Sequence, residues 1–468
     1  VTTTESGERA AALEAERSLR ACAPIDLSGP EVVIDLTDGG AGAPQLPDEH
    51  PESLPGARLL AFATVALIVT AFALHAALRI QKGSVAGITA AYAVMVSTYV
   101  VSRFVMAATY RPAADVGHEP TVAVVVPAFN EGDVVRRTVE ACARLDYPRH
   151  KLEVICVNDG STDDTWQHMK AAAEDAPAGL VTCIDLGVNQ GKRAAMAAGI
   201  RASSAEVLVF VDSDSHPAPG AVRKLVQPFA DPGVGAVAGL TYVRNAGANL
   251  LTRMQAVRYY VSFQLMKRAE SVVGAVACCS GCFSAYRRAA IEPGLEEWEQ
   301  QRFLGVECTY GDDRALSNQV IRRGWSTRYA AGAEAWTDVP HRYGTFVRQQ
   351  LRWKKSWSRE TFLLLLHSWR SRPVAFPFIV MGALTSLLSP VVLLYNFAVE
   401  PLVHGRAPVL YLVGLYLATV AYAALYRALR NDGLWRYAIP TVVFYLVLSF
   451  QLFWALLRLR DGRWGTRG

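Results

Sequence analysis

The sequence is short of charge. Of its 468 residues only 19% are Asp, Glu, Lys or Arg, 51% are hydrophobic, and the mean hydropathy is +0.18. That excess is high for a soluble enzyme and low for a bundle lying wholly in lipid, so a mixture is expected. Basic residues are scarce at the amino end. Residues 1–56 set eleven carboxylates against Arg9, Arg17 and Arg20, about −8, which leaves about +13 on the remainder. The cationic body favours anionic lipid and anionic ligands. The eight cysteines lack disulfide-framework spacing, and Cys279–Cys282 is a C-x-x-C without a second pair. A disulfide scaffold and a zinc ribbon are thereby excluded, and reduced thiols in a cytosolic domain are expected. The long acidic lead-in also lacks the pattern of a signal peptide ahead of the first apolar run.

What the chain does have is long apolar runs. Leu59–Leu78 and Val85–Ala108 precede a central region, and Val374–Ala398, Pro408–Ala428 and Tyr437–Leu457 come after it. The first two are each long enough to cross ~30 Å of hydrocarbon. Residues 120–340 alternate short β runs with helical patterns and regain charge, which reads as a soluble α/β domain. The expected division is an acidic, weakly structured arm over 1–56, membrane helices over 57–111, and the α/β domain over 112–340. A basic helix over 341–372 and a membrane region over 373–468 complete it. Arg427, Arg430 and Arg436 precede the last run and Arg458, Arg460, Arg463 and Arg467 come after it, so both of its ends favour the cytosol. Tyr437–Leu457, with Pro440 near its start, is therefore expected to be re-entrant or interfacial. Residues 249–268 and 345–368 mix aliphatics and aromatics with spaced Arg and Lys, which suits helices lying flat in the headgroup region.

Three acidic motifs stand out. VICVNDGSTDDT (154–165) puts Asp159 where open α/β sheets bind ligands, placed to accept hydrogen bonds from a base or ribose. A turn aspartate is the bland account. VLVFVDSDSHP (207–217) places Asp212 and Asp214 one residue apart. Two such carboxylates repel unless a cation or proton sits between them, and hard oxygen ligands suit Mg²⁺ or Mn²⁺ on a diphosphate. GDDRALSNQVIRRGW (311–325) opens a helix with Asp312 and Asp313, as N-terminal charges or as a general base for an attacking hydroxyl. Lys192, in GKR, is positioned for phosphate oxygens.

RQQLRWKKSW (348–357) holds four basic side chains and two tryptophans. On a helix Gln349, Arg352 and Trp353 share a face, while Arg348, Arg352, Lys355 and Arg359 form a basic stripe. Lipid attraction accounts for the stripe. A guanidinium forked onto a diphosphate beside an indole stacked on a sugar accounts for Gln349 and Trp353 as well.

VNDGS, DSD, GDDR and QQLRW, in that order between membrane spans, resemble the processive family-two glycosyltransferases with a GT-A fold. Those are the cellulose, chitin and hyaluronan synthases. NLLTRMQAVRY, CSGCFSAYRR, TDVP and the terminal WGTR are most similar to hyaluronan synthases. The resemblance implies an α/β GT-A domain inserted between transmembrane helices, with amphipathic interface helices. It also implies UDP-GlcNAc and UDP-GlcA as donors, Mg²⁺ or Mn²⁺, and a growing polysaccharide and the bilayer as partners, with no nucleic acid. The implied location is the plasma membrane, multi-pass, with the catalytic domain cytosolic. By the same resemblance Asp159 binds uridine, Lys192 and Asp212 the diphosphate, and Asp214 the metal. Asp313 is the base, Arg352 holds the diphosphate, Trp353 meets the terminal sugar and Gln349 supports that site. Cys279 lines the acceptor pocket, and Trp464 to Arg467 approach from the membrane domain. Cys282 stands where the family usually has proline, which puts the exact sugar in question. A chitin-type homopolymer synthase, a non-processive transferase acting on a lipid phosphate, and a transporter with a degenerate nucleotide domain are the alternatives.

Overall fold

A computed structural model of the chain describes residues 87–430 and 432–461. The acidic arm, the run Leu59–Leu78, Trp464 and Arg467 lie outside the described residues.

Ten strands form in the central region: β1 (Val122–Ala128), β2 (Leu152–Asn158), β3 (Val181–Asp185), β4 (Val207–Phe210), β5 (Ser215–Pro217), β6 (Val234–Val243), β7 (Ser284–Arg287), β8 (Arg302–Phe303), β9 (Val306–Glu307) and β10 (Ser326–Thr337). Eight of them make one mixed sheet in the order β3-β2-β1-β4-β7-β6-β10-β5, and β8 pairs with β9 separately. β7 and β5 run against the other six. β1 is buried at every position and its side chains alternate between two cores. Val122, Val124 and Val126 join one, Ala123 and Val125 the other. A strand covered on both faces reads as a continuous apolar run, which is why VAVVV lacks alternation.

The register gathers the acidic motifs at one edge. Ala128 of β1 lies beside Asn158 of β2, and Asn158 beside Asp185 of β3. Phe210 of β4 pairs with Val125 of β1, so the chain leaves the sheet at Asp159 and at Asp212 on the same side. β1 sits between β2 and β4, where the strand order reverses, the place at which open sheets leave a crevice for ligands. Because β7 is antiparallel to β4, with Ser284 opposite Phe210, the loop 278–283 ahead of it arrives at that edge too.

The amphipathic segments are helical. Leu250–Val261 starts at a capping box in which Asn249 accepts from the Thr252 backbone N–H and Thr252 Oγ1 accepts from that of Asn249, both at 3.0 Å. Residues Ser262–Lys267 continue it as a π turn and Arg268–Val272 as α-helix. Tyr343–Ser371 is one helix.

Among the described residues, four helical segments are long and apolar enough to cross a membrane: Thr89–Thr109, Phe376–His404, Tyr411–Leu429 and Gly433–Leu457. The second runs beyond the expected Ala398, because a π turn at Tyr395–Val399 leads into helix Glu400–His404. Just past the first, Tyr110 donates to the Tyr329 carbonyl of β10 at 2.6 Å. Arg103 ties the first to the second by donating to the Phe378 carbonyl, and Tyr260 of the helix Leu250–Val261 ties the third to that helix by donating to the Leu429 carbonyl. Gly433–Leu457 is irregular, with 3-10 turns at both Gly433–Tyr437 and Leu448–Phe450. It runs beside the two interface helices along its length. Arg253 donates to Tyr437 Oη at 2.8 Å, Phe346 stacks on Phe444, and Gln451 accepts from Lys354 at 3.1 Å.

The basic stripe on Tyr343–Ser371 is not a lipid-facing stripe. Arg348 is exposed, but Lys355 and Arg359 are buried toward the domain, where Arg359 pairs with Glu360 at 2.8 Å and donates to the Tyr310 carbonyl at 2.7 Å. The helix turns these cations inward because that face packs on the helix Asp312–Arg322.

Candidate active site

Gly311 and Gly160 bring the motifs close. Gly311 has φ +77°, and a Cβ there would stand 2.7 Å from Ser356 Cβ on the QQLRW helix. Gly160 has φ +66°, and its Cβ would meet the Asn189 nitrogen at 2.5 Å. Both positions combine a left-handed backbone with a close approach that only glycine permits. Gly311→Ala is expected to destabilise the protein by about 1–3 kcal/mol and to lower transfer activity at the same time. A melting curve and rate both matching the parent protein would contradict this coupling.

Asp159, Lys192, Asp212, Asp214, Asp313, Gln349, Arg352 and Trp353 all line a single cavity of about 1380 Å³. That volume exceeds the ~300–1,000 Å³ usual for a small-molecule pocket. It holds room for a donor and an acceptor together. Asp159 Oδ1 accepts from the Gln190 N–H at 2.8 Å and Oδ2 from that of Gly191 at 3.0 Å, so its carboxylate also shapes the turn that presents Lys192.

Lys192 bonds Asp212 at 2.5 Å and Asp312 at 3.3 Å. Burial opposes its charge, yet Asp212 and Asp312 outweigh burial and raise its pKa. Expected to meet phosphate alone, it also ties the D-x-D turn to the D-D turn. The two aspartates of GDDR then diverge. Burial works against the Asp312 charge, but Lys192 and Arg193 overcome it and hold its carboxyl below the ordinary range. Asp313 is pushed up, first by burial and then by the Asp312 charge. Neighbouring carboxyls driven apart in this way leave Asp312 a fixed anion and Asp313 the more readily protonated of the two.

Burial, then the charges of Asp212 and Glu131, push Asp214 up to about 7. Thr337 donates to it at 3.3 Å. A half-buried carboxylate crowded by like charge fits a hard divalent cation. No group of three or more His, Cys, Asp or Glu side chains that could hold a metal is found among the described residues. Mg²⁺ and Mn²⁺ accept one or two carboxylates with phosphate and water completing the shell, so this donor set fits a cation shared with a diphosphate.

Trp353 is 38% exposed on the cavity wall, with the Tyr259 ring 6.4 Å away. Gln349 Oε1 is buried without a hydrogen-bond partner among the described residues, as is Nε2 of Gln350, another lining residue. Cys279 is a correction. It is fully buried in the core, held where its N–H donates to Ser317 Oγ at 2.8 Å, and its neighbours Cys278 and Cys282 line the cavity instead. Adjacent residues of an extended loop point opposite ways, so one cysteine facing the core turns the other toward the cavity.

Sequence reasoning missed several lining residues. Arg258 and Lys267 lie in a segment read only as an interface helix, and Ser386, Ser389 and Ser449 are isolated serines in apolar runs. The serines carry the cavity from the sheet edge in among the apolar helices. Single serines inside otherwise apolar runs were the available signal, and it is a weak one.

Residues 120–356 match the family model described as "Glycosyltransferase like family 2". An N-acetylglucosaminyltransferase of Azorhizobium caulinodans is 32% identical over 394 residues, covering 81% of this chain and 96% of that protein. A hyaluronan synthase of Streptococcus pyogenes is 30% identical over 388 residues, covering 80% and 90%. Among solved structures, a Pyrobaculum calidifontis mannosyltransferase in complex with GDP-Man and Mn²⁺ superposes with a TM-score of 0.57 at 20% identity, covering 86% of this chain and 99% of that one. It shares the mixed-sheet GT-A architecture. With the sheet-edge aspartates in one cavity and relatives matched over most of its length, the chain belongs to glycosyltransferase family 2.

Proposed function

We propose that this protein is a processive, inverting hexosyltransferase that polymerises UDP-GlcNAc and UDP-GlcA into hyaluronan at the cytosolic face of the plasma membrane. The reading is carried by one observation. The cavity that holds Asp159, Asp214, Asp313, Arg352 and Trp353 continues to Ser386, Ser389, Tyr445 and Ser449 on the apolar helices. A catalytic cleft that opens between such helices gives a growing chain a route away from the cytosol.

In this reading Asp313 takes the proton of the acceptor hydroxyl as its oxygen bonds to the anomeric carbon, and the bond to the UDP oxygen breaks. Arg352 forks onto the diphosphate while Trp353 stacks on the terminal sugar and fixes the line of attack. Gln349 and Gln350 offer their unpartnered amide atoms to the same ligands. Asp159 takes the uridine. Lys192 and Asp212 lie at the diphosphate, with Lys192 also neutralising the carboxylates around it. A cation on Asp214 would supply neutralisation of charge on the departing UDP. Asp461 is anchored at the cavity wall, its carbonyl accepting from Tyr310 at 2.9 Å and from Lys355 at 3.1 Å, so Trp464 and Arg467 come within a few residues of the site along the chain. The segment Gly433–Leu457 contacts the interface helices at both ends, which supports a re-entrant or interfacial course over a crossing.

The far end of the cavity favours an anionic product. Arg258 stacks on Tyr445 at 3.8 Å, and Lys354 is pushed down to about 8 by burial and by Arg258. Neither pairs with a carboxylate among the described residues. Two unpaired cations suit a polymer bearing uronate carboxylates better than a neutral one. The test is purified protein in detergent with both UDP-sugars, and then digestion by a hyaluronan-specific lyase. Complete digestion is expected, with no long polymer from UDP-GlcNAc alone. A long polymer from UDP-GlcNAc alone would replace this reading with the chitin type.

A further inference from the structure

The interface helix that begins at Leu250 is interrupted at Ser262–Lys267 by a π turn. Such turns insert one extra residue, rotate the next helical turns about the axis, and occur frequently at functional sites. The residue that closes this one is Lys267, only 9% exposed. Its Nζ donates to the Cys278 carbonyl at 2.7 Å and to Ser280 Oγ at 3.4 Å, and it stands 4.4 Å above the Phe263 ring. No carboxylate pairs with it among the described residues. Burying an ammonium without a counter-ion is costly, so this placement calls for a use.

The loop that Lys267 grips reaches Asp313. Cys278 Sγ and the Gly281 N–H both donate to Asp313 Oδ2, each at 3.4 Å, while Oδ1 takes the Arg314 N–H at 2.7 Å. The shorter bond comes from the helix of Asp313 itself. The longer pair comes from the loop, so its strength depends on the loop's position.

We propose that Lys267 is a positioning residue for the transfer step. Through the Cys278 carbonyl it holds the loop 278–281 where Cys278 and Gly281 orient the Asp313 carboxylate. The inference rests on the reading of Asp313 as base. Without that hold the loop relaxes from Oδ2, the carboxylate stays tethered through Oδ1 to the Arg314 N–H, and its other oxygen loses its alignment with the acceptor hydroxyl. A misplacement of about 1 Å can cost about 10²-fold in rate.

Lys267→Met removes charge and donor together, whereas Lys267→Gln keeps a donor for the carbonyl without the charge. The expected result for Lys267→Met is a kcat about tenfold or more lower, a KM for UDP-GlcNAc close to the parent value, and an acid limb moved to higher pH. The limb moves up because Asp313 loses donors that favour its ionised form. Lys267→Gln should recover most of the rate and return the limb. An unchanged kcat in Lys267→Met overturns the proposal. So does a raised KM at unchanged kcat in both variants, since that marks a residue touching substrate. If Lys267→Met does not fold, Cys278→Ala removes one donor to Asp313 directly and must move the limb the same way. A stationary limb there overturns the proposal as well. Asp313→Asn run in parallel separates the two readings: turnover retained there removes the base itself, while turnover lost there with Lys267→Met intact removes only the role of Lys267.

Discussion

Asp313→Asn is expected to lower sugar transfer by about 10²–10⁴-fold, or about 3–5 kcal/mol of barrier, while binding of the nucleotide sugar persists. Asparagine keeps the shape and can still accept from the Arg314 N–H, but it cannot take a proton. Asp312→Asn is a different experiment. It removes the fixed anion that holds Lys192 and raises Asp313, so it should disturb the site's geometry and electrostatics together. The pH profile adds a second check. Burial and Asp312 raise Asp313 above the ordinary carboxylate value of 3.8, and in the proposed mechanism a base must be ionised to take the proton. Activity should therefore fall as pH falls through that raised value, on an acid limb above pH 3.8. Release of UDP from purified protein reads both effects. Near-parental turnover by Asp313→Asn would leave the transporter with a degenerate nucleotide domain as the better account.

The second large effect is expected from the cation. Chelation should cost about 10²–10³-fold, the scale of losing one strong electrostatic contact to developing charge, and added Mn²⁺ or Mg²⁺ should restore the rate. Asp214→Asn should need far more metal for the same rate, because the amide offers a neutral ligand where the parent offers a carboxylate pushed up to about 7 by burial and by the charges of Asp212 and Glu131. Asp212→Asn should shift the metal requirement less, since Lys192 already compensates that carboxylate at 2.5 Å. Full activity after chelation would mean that Lys192 and Arg352 neutralise the leaving diphosphate unaided.

Local pattern alone was enough for much of this. Apolar length marked Val85–Ala108, Val374–Ala398 and Pro408–Ala428 as helices. Strand-then-aspartate runs marked Asp159 and Asp212 as sheet-edge groups, because a buried parallel strand must be continuously apolar and must end where the chain meets solvent. The three- and four-residue spacing put Gln349, Arg352 and Trp353 on one helical face. None of these inferences needed a partner element.

Long-range pairing decided the remainder. Which aspartate of GDDR stays a fixed anion and which accepts a proton depends on Lys192, 120 residues earlier, lying against Asp312. Whether Lys355 and Arg359 meet lipid or protein depends on the helix that packs against them, and Cys279 exchanged places with Cys278 for a similar reason. The cationic far wall joins Arg258 to Lys354 across separate helices. Periodicity shows which residues share a face of one element; the direction in which that face points is set by the packing of distant ones.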